Sequence, residues 1–93
     1  MKQKGKESII VEKVQTGVRM EKRIVKVVKA LAEYCDMTPG NLLEGILLHV
    51  FEGKTPFSKG TLKKIQELKR IYGLNLDSSA SHRLDENTEK RRR

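Results

Sequence analysis

The segment from Asn41 to Phe51 constrains this chain more than any other part of its sequence. Seven of its eleven residues are apolar and only one is charged. At the helical period of 3.6 residues, these side chains cover most of the circumference, so a helix here has to be buried against more than one neighbour. Thr38 suits the N-cap of this helix, Pro39 its first position, and Gly53 the residue that ends it.

Two further amphipathic helices are predicted, one on each side of this segment. The first runs from Glu21 to Cys35, and the second runs from Lys59 to Tyr72 behind the capping residue Ser58. In both, apolar residues recur at steps of three and four. The apolar positions are Ile24, Val27, Val28, Leu31 and Cys35 in one helix, and Leu62, Ile65, Leu68, Ile71 and Tyr72 in the other.

Residues 14–20 alternate between two kinds of side chain. One set is mostly apolar: Val14, Thr16, Val18 and Met20. The other set is Gln15, Gly17 and Arg19. Successive side chains point to opposite faces of a strand, so this pattern predicts one short strand. Since no second strand lies nearby in the sequence, the predicted strand needs a partner from another chain.

The charge of the chain is positive and unevenly distributed. The 93 residues carry a formal net charge of +8. Residues 14–52 hold five basic and five acidic side chains, whereas residues 53–76 hold six basic and one acidic. This balance favours a polyanionic partner, most simply nucleic acid, although a solvated basic surface without such a partner gives the same composition. A domain this short is marginally stable alone and is often stabilised by oligomerisation.

Several classes of protein are not expected from this sequence. Cys35 is the single cysteine, and with His49 and His82 it forms no metal-ligand spacing. No nucleophile–base pair or Gly-rich phosphate loop is present, so we expect neither an enzyme nor a bound cofactor. No apolar stretch approaches the roughly 20 residues that span a bilayer, and no secretory signal follows the N-terminus. We therefore expect a cytoplasmic protein that is neither secreted nor inserted in a membrane.

Taken together, the segments VQTGVRM, EKRIVKVVKALAEYC, DMTP and GNLLEGILLHVF resemble the ribbon-helix-helix family of DNA-binding proteins, which includes the Arc and MetJ repressors. The resemblance covers less than half of the chain. It implies a mainly α fold with one short strand, in which two chains form an intertwined homodimer through an intermolecular antiparallel β-ribbon, here with an extra C-terminal helix. The implied organisation is a basic flexible arm (residues 1–13), a ribbon-helix-helix domain (14–53), a basic amphipathic helix (54–76) and a disordered tail (77–93).

The resemblance also implies a function and a set of contacts. The protein would be a sequence-specific transcriptional regulator, like the family's repressors, that binds double-stranded DNA. Ribbon side chains of the family read base edges in the major groove, and the matching positions are Gln15, Gly17 and Arg19. Gly17 departs from the polar residue that usually occupies the middle position, which leaves its contribution to base reading in doubt.

Phosphate contacts are implied at two places. The family holds a DNA phosphate at the N-terminus of its second helix, where free N–H groups and the helix dipole attract an anion. The matching residues are Thr38, Gly40 and Asn41. Lys22 and Arg23, with Lys26 one turn further on, lie close to the predicted ribbon, where they can contact neighbouring phosphates or form an ordinary solvated helix face.

Residues 54–76 leave a second interpretation open. Their helix can cover the apolar second helix, join homodimers into a dimer of dimers, or bind a partner protein as the C-terminal segments of ribbon-helix-helix antitoxins do. In the last case the chain is an antitoxin-like or other protein-interaction module, and the DNA contact is not its working surface.

Overall fold

The computed structural model describes residues 8–86, which form three α-helices of equal length. They are α1 (Lys22–Tyr34), α2 (Pro39–Phe51) and α3 (Lys59–Ile71), followed by a single 3-10 turn at Ser78–Ala80. The three helices predicted from the sequence are confirmed, with ends within about two residues of those expected from the apolar periodicity and the capping residues.

Each α-helix begins at a side chain that accepts a hydrogen bond from the amide three residues further along the chain. The acceptors are Glu21, Thr38 and Ser58, at 3.0, 3.1 and 3.2 Å respectively. The first N–H groups of a helix have no partner within the helix, so these caps stabilise the point at which each helix begins.

Each α-helix ends in the same way. Asp36, Gly53 and Gly73 adopt positive φ angles of 58°, 71° and 66° just after α1, α2 and α3. The next amide in each case donates to the carbonyl five residues earlier, at 3.0, 2.9 and 2.8 Å. This is the Schellman arrangement, which satisfies the last carbonyls of the helix and turns the chain away from the helix axis.

The small core lies around α1. Leu31 and Ala32 of α1 are buried against Leu42 of α2. Partly buried side chains surround them, from all three helices and from the loop before α3: Val28, Cys35, Ile46, Phe57, Ile65 and Leu68. The Lys64 ammonium group, in the first half of α3, lies over the Tyr34 ring at the end of α1. Arg23, near the start of α1, donates to the Gly73 carbonyl just after the end of α3. Helices α1 and α3 therefore run antiparallel.

The predicted ribbon-helix-helix fold is wrong. Within residues 8–86 there is no strand, and residues 14–20, predicted as a strand, are exposed and have no regular secondary structure. An alternating pattern describes only which side chains share a face, whereas a strand also requires a neighbouring backbone edge to pair with. Residues 14–20 form no strand in the described chain, so the predicted intermolecular ribbon and the intertwined homodimer built on it are also wrong.

Two predicted segments are described only in part. Residues 1–7 of the predicted basic arm (1–13) lie outside the described residues. Residues 87–93 of the predicted disordered tail (77–93) lie outside them as well. The described part of that tail contains the 3-10 turn, which Asp77 caps by accepting from the Ser79 amide at 3.0 Å. Among residues 8–86, no helix has the length and apolar character needed to cross a membrane.

Candidate nucleic-acid interface

Three lysines form a row along the outer side of α1. Lys22, Lys26 and Lys29 are spaced by four and three residues, which places them on one face of the helix, and all three are exposed. This row, here called the α1 lysine row, lies opposite the buried side chains Val27 and Leu31. Among residues 8–86, no carboxylate lies within ion-pair distance of any of the three ammonium groups. No described carboxylate forms an ion pair with the α1 lysine row; exposed Glu33 lies four residues after Lys29 on the same side of the helix without pairing with it.

Other basic side chains are paired with carboxylates. The pairs are Lys13–Glu44 at 3.1 Å, Arg23–Glu21 at 2.8 Å, Lys54–Glu52 at 3.2 Å, Lys64–Glu67 at 3.0 Å, and Arg19–Glu86. The hydrogen bond between Lys64 and Glu67 raises the pKa of the lysine and lowers the pKa of the glutamate. Since each of these pairs contains one positive and one negative group, they contribute little to the positive potential of the surface.

A second basic row runs along α3. Lys59, Lys63 and Arg70 are exposed on the side of the helix that faces away from Ile65 and Leu68, the side chains that pack toward the core. None of these three groups forms an ion pair with a described carboxylate, although the pKa of Glu67, lowered mainly by its hydrogen bond with Lys64, is lowered further by the charges of Arg70 and Lys63. This α3 basic row carries the same number of unpaired charges as the α1 lysine row, on a different helix.

The three residues predicted to read bases lie in the exposed segment that leads into α1. Gln15, Gly17 and Arg19 are all exposed, and no ribbon brings them together on one face. A Cβ atom built on Gly17 would meet no heavy atom within 4 Å, so no close approach within the chain requires a glycine there. The Arg19 guanidinium bonds to the Glu86 carboxylate.

The residues predicted to bind a phosphate at the second helix do lie together at the N-terminus of α2. The Thr38 hydroxyl accepts from the Asn41 amide at 3.1 Å, so the cap already uses one of the two backbone donors expected for a phosphate. The side-chain oxygen of Asn41 accepts from Lys13, which also pairs with Glu44. Gly40 is exposed.

Lys22 and Arg23, both predicted to contact phosphates, differ in their surroundings. Lys22 belongs to the α1 lysine row and is free to meet an anion. The Nε atom of Arg23 donates to the Glu21 carboxylate. Its Nη1 atom donates to the Gly73 carbonyl at 3.1 Å and to the Asn75 side-chain oxygen at 3.2 Å. It joins the start of α1 to the end of α3, and its hydrogen bond lowers the pKa of the Glu21 carboxyl.

Lys26 and Lys29 complete the row; Lys26 was weighed as a phosphate contact beside Lys22 and Arg23, whereas Lys29 was not predicted. The signal that identifies them is present in the sequence, because their spacing from Lys22 is that of one helix face. The resemblance to the ribbon-helix-helix family implied base contacts from the predicted strand and not from this row.

A cavity of about 280 Å³ lies between the end of α1, one side of α2 and the segment at residues 56–61. Cys35, Gly45, His49 and Phe57 are among its lining residues. His49 uses its Nδ1 atom in a contact of 2.8 Å with the Gly45 carbonyl, one turn earlier. No cluster of three or more His, Cys, Asp or Glu side chains in residues 8–86 is placed to hold a metal ion.

Comparisons with protein-family models, with curated proteins and with solved structures found no match.

Proposed function

We propose that this protein binds double-stranded DNA in the cytoplasm as a transcriptional regulator, and that the α1 lysine row is its main contact with the phosphate backbone. The observation that carries the proposal is the row itself: three exposed ammonium groups on one helix face, none in an ion pair with a described carboxylate. A DNA phosphate backbone is a linear polyanion that such an array can contact.

The physical driving force is the release of counterions from DNA. Each phosphate that a lysine neutralises frees condensed cations, so log K falls by about 0.9 for each tenfold rise in salt per phosphate contact. A lysine that is already paired with a carboxylate adds little, because its own ion pair has to break first. The unpaired lysines at positions 22, 26 and 29 carry no such cost.

Sequence preference is assigned to the segment that precedes α1. Gln15 and Arg19 have side chains that can form bidentate hydrogen bonds with adenine and guanine respectively. Because this segment continues directly into Lys22, a backbone contact by the α1 lysine row brings it close to the duplex. Arg19 has to leave Glu86 in order to reach a base. Glu86 therefore competes with DNA for this side chain.

The experiment compares two triple variants with the same loss of charge. One replaces the α1 lysine row (Lys22→Gln, Lys26→Gln and Lys29→Gln), and the other replaces the α3 basic row (Lys59→Gln, Lys63→Gln and Arg70→Gln). We expect the α1 variant to lower the magnitude of the slope of log K against log salt by up to about 2.7, that is 0.9 per lysine. The α3 variant should change it much less. Fluorescence anisotropy with a labelled duplex at several salt concentrations measures both slopes.

Selection from a pool of random duplexes tests the regulatory part of the proposal. The unaltered chain should enrich a defined sequence, and Arg19→Ala should relax the preference at one base pair, at a cost of about 1–3 kcal/mol. Phosphate contacts position a protein while base contacts specify the sequence, so the α1 triple variant should weaken binding to every duplex alike.

Two results would contradict the proposal. If both triple variants lower DNA affinity equally, binding follows net charge and not the α1 lysine row. If no sequence is enriched, and a partner protein is recovered only with chains that retain residues 54–76, the antitoxin-like alternative replaces a DNA-reading role and the α3 basic row becomes the working surface.

A further inference from the structure

The cavity between the end of α1 and α2 combines apolar walls with a volume suited to a small ligand. Its walls are mostly apolar side chains, among them Met37, Leu42, Ile46 and Phe57. An apolar cavity of about 150 Å³ holds one benzene ring, and this one measures about 280 Å³. Two fused aromatic rings are therefore the size of ligand that it fits. Apolar walls with a few polar groups are the usual form of a small-molecule site.

Gly45 keeps this cavity open. It belongs to the lining, and a Cβ atom built on it meets no heavy atom within 4 Å. Packing within the chain therefore does not require a glycine at this position, and glycine in the interior of a helix is less favourable than alanine. The residue leaves unfilled a volume that a larger side chain would occupy.

His49 supplies a hydrogen-bond acceptor to the lining of the cavity. Its Nδ1 atom lies 2.8 Å from the Gly45 carbonyl. A carbonyl only accepts, so Nδ1 carries the ring proton, and the neutral ring has Nε2 as its acceptor. The Nε2 atom forms no hydrogen bond with any residue between 8 and 86. A ligand with one N–H or O–H group supplies the missing donor.

The other polar side chains of the lining already have partners. The Ser58 hydroxyl donates to the Thr61 hydroxyl and accepts from the Thr61 amide, both at 3.2 Å. The side-chain oxygen of Asn41 accepts from Lys13. Among the described residues, no Lys, Arg, Asp or Glu lines the cavity. Burial of an unpaired charge is unfavourable, so the lining favours an uncharged ligand with few polar groups.

We propose that this cavity binds an uncharged two-ring aromatic molecule with a single N–H or O–H donor, such as an indole or a naphthol, and that the donor bonds to Nε2 of His49. The sulfur of Met37 and the ring of Phe57 make favourable contacts with an aromatic ligand. The cavity contains no residue of the α1 lysine row, so this site does not depend on DNA binding.

The fluorescence of indole tests the hydrogen bond to His49. The chain contains no tryptophan, so this signal reports the ligand alone. Benzofuran, which competes with indole, has the same shape without the N–H donor. We expect indole to bind about threefold to tenfold more tightly than benzofuran, as one hydrogen bond predicts. His49→Phe should abolish this ratio and leave benzofuran binding unchanged. Equal affinities in the parent chain, or an undiminished ratio in the variant, would overturn the proposal.

Filling the cavity tests its position. Gly45→Leu places a side chain in the open volume, whereas Gln66→Leu places the same side chain on the exposed side of α3, outside the lining. We expect Gly45→Leu to abolish indole binding and Gln66→Leu to leave it unchanged. Circular dichroism checks that both variants are folded. Undiminished binding by a folded Gly45→Leu chain would overturn the proposal.

The single cysteine of the chain reports whether the cavity is occupied. Cys35 lines the cavity and is half-buried. Indole at ten times its dissociation constant should slow the reaction of this thiol with iodoacetamide about tenfold, because only the empty cavity exposes it. An unchanged rate would overturn the proposal. So would a thiol that is already unreactive without indole, because another part of the chain then fills the cavity. The α1 triple variant should bind DNA weakly and still bind indole, which separates this site from the proposed function.

Discussion

Helices α1 and α2 have the same length and opposite relations to the core. In α1 the apolar side chains are largely covered within the chain, with Leu31 only 4% exposed, while charged residues occupy the outer side. In α2 Leu42 is buried to a similar degree, yet Leu48 and Phe51 remain exposed. The apolar pattern of α1 is thus explained by its neighbours in the same chain, and the pattern of α2 is not.

The difference shows what an apolar helix does in a small protein. An amphipathic helix needs one neighbour, and α1 has neighbours on its single apolar side. A helix that is apolar around most of its circumference needs neighbours on several sides, and this chain supplies α2 with one. The surplus apolar surface on α2 and the exposed charge on α1 therefore both face outward, on different helices of the described chain.

Truncation of one leucine in each helix gives the largest expected effect. Leu31→Ala should lower the free energy of unfolding by about 2–5 kcal/mol, because it removes a buried side chain and leaves a cavity. Leu48→Ala should cost less than about 0.5 kcal/mol in the monomer, because its side chain is already in water. Urea denaturation at low protein concentration measures both. Equal losses would show that the two helices do not differ in burial within the chain.

Exchange of glycine and alanine between the helices should give effects of opposite sign. Gly45→Ala should stabilise the monomer by about 1 kcal/mol, since alanine is the better helix former and the added methyl group has room. Ala32→Gly should destabilise it by at least about 1 kcal/mol, because it also removes a methyl group that is only 1% exposed. Thermal denaturation of the two variants against the parent chain checks the signs. If Gly45→Ala destabilises the chain instead, then the added methyl group has less room beside α2 than the structure shows.

Removal of the α2 cap should have a smaller effect. Thr38→Ala removes the acceptor for the Asn41 amide and should cost about 1 kcal/mol without any DNA present, whereas Thr38→Ser should restore most of it. Denaturant titration of the free protein gives these values. If Thr38→Ala leaves the free protein unchanged but weakens DNA binding, then the predicted phosphate contact is the main role of this residue and capping is secondary.

Acid should distinguish the two caps, with the smallest effect of the series. The α1 cap Glu21 titrates and the α2 cap Thr38 does not. The hydrogen bond from Arg23 lowers the pKa of the Glu21 carboxyl below its ordinary value of 4.5. The stabilisation that the charged Glu21 cap gives to the folded chain is therefore complete above pH 4.5. It is lost as the pH falls through the lower pKa that Glu21 has in the folded state. Unfolding curves between pH 7 and pH 3 should show less acid sensitivity in Glu21→Gln than in the parent chain. Undiminished sensitivity would assign the effect to other carboxylates.

The sequence by itself determined the helices and their ends. The period of the apolar residues places α1, α2 and α3, and the caps Thr38 and Ser58 fix where two of them begin, because these are local interactions between residues three or four apart. The spacing of the α1 lysine row was also available from the sequence. The Glu21 cap could have been recognised in the same way, since Glu21 lies three residues before Ile24, whose amide donates to its carboxylate.

The tertiary structure decided everything that depends on residues far apart in the chain. The alternation at residues 14–20 predicted a strand, but only a neighbouring edge makes one, and the described chain has none. Which basic groups stay unpaired was decided by contacts such as Lys13 with Glu44 and Arg23 with Gly73, which no local pattern encodes. The same holds for α2. Its sequence predicted neighbours on several sides, and only the tertiary structure showed that α1 is the one helix of the described chain that packs against it. Local periodicity sets which face of a helix is apolar, whereas the number of faces that become buried depends on how the whole chain packs.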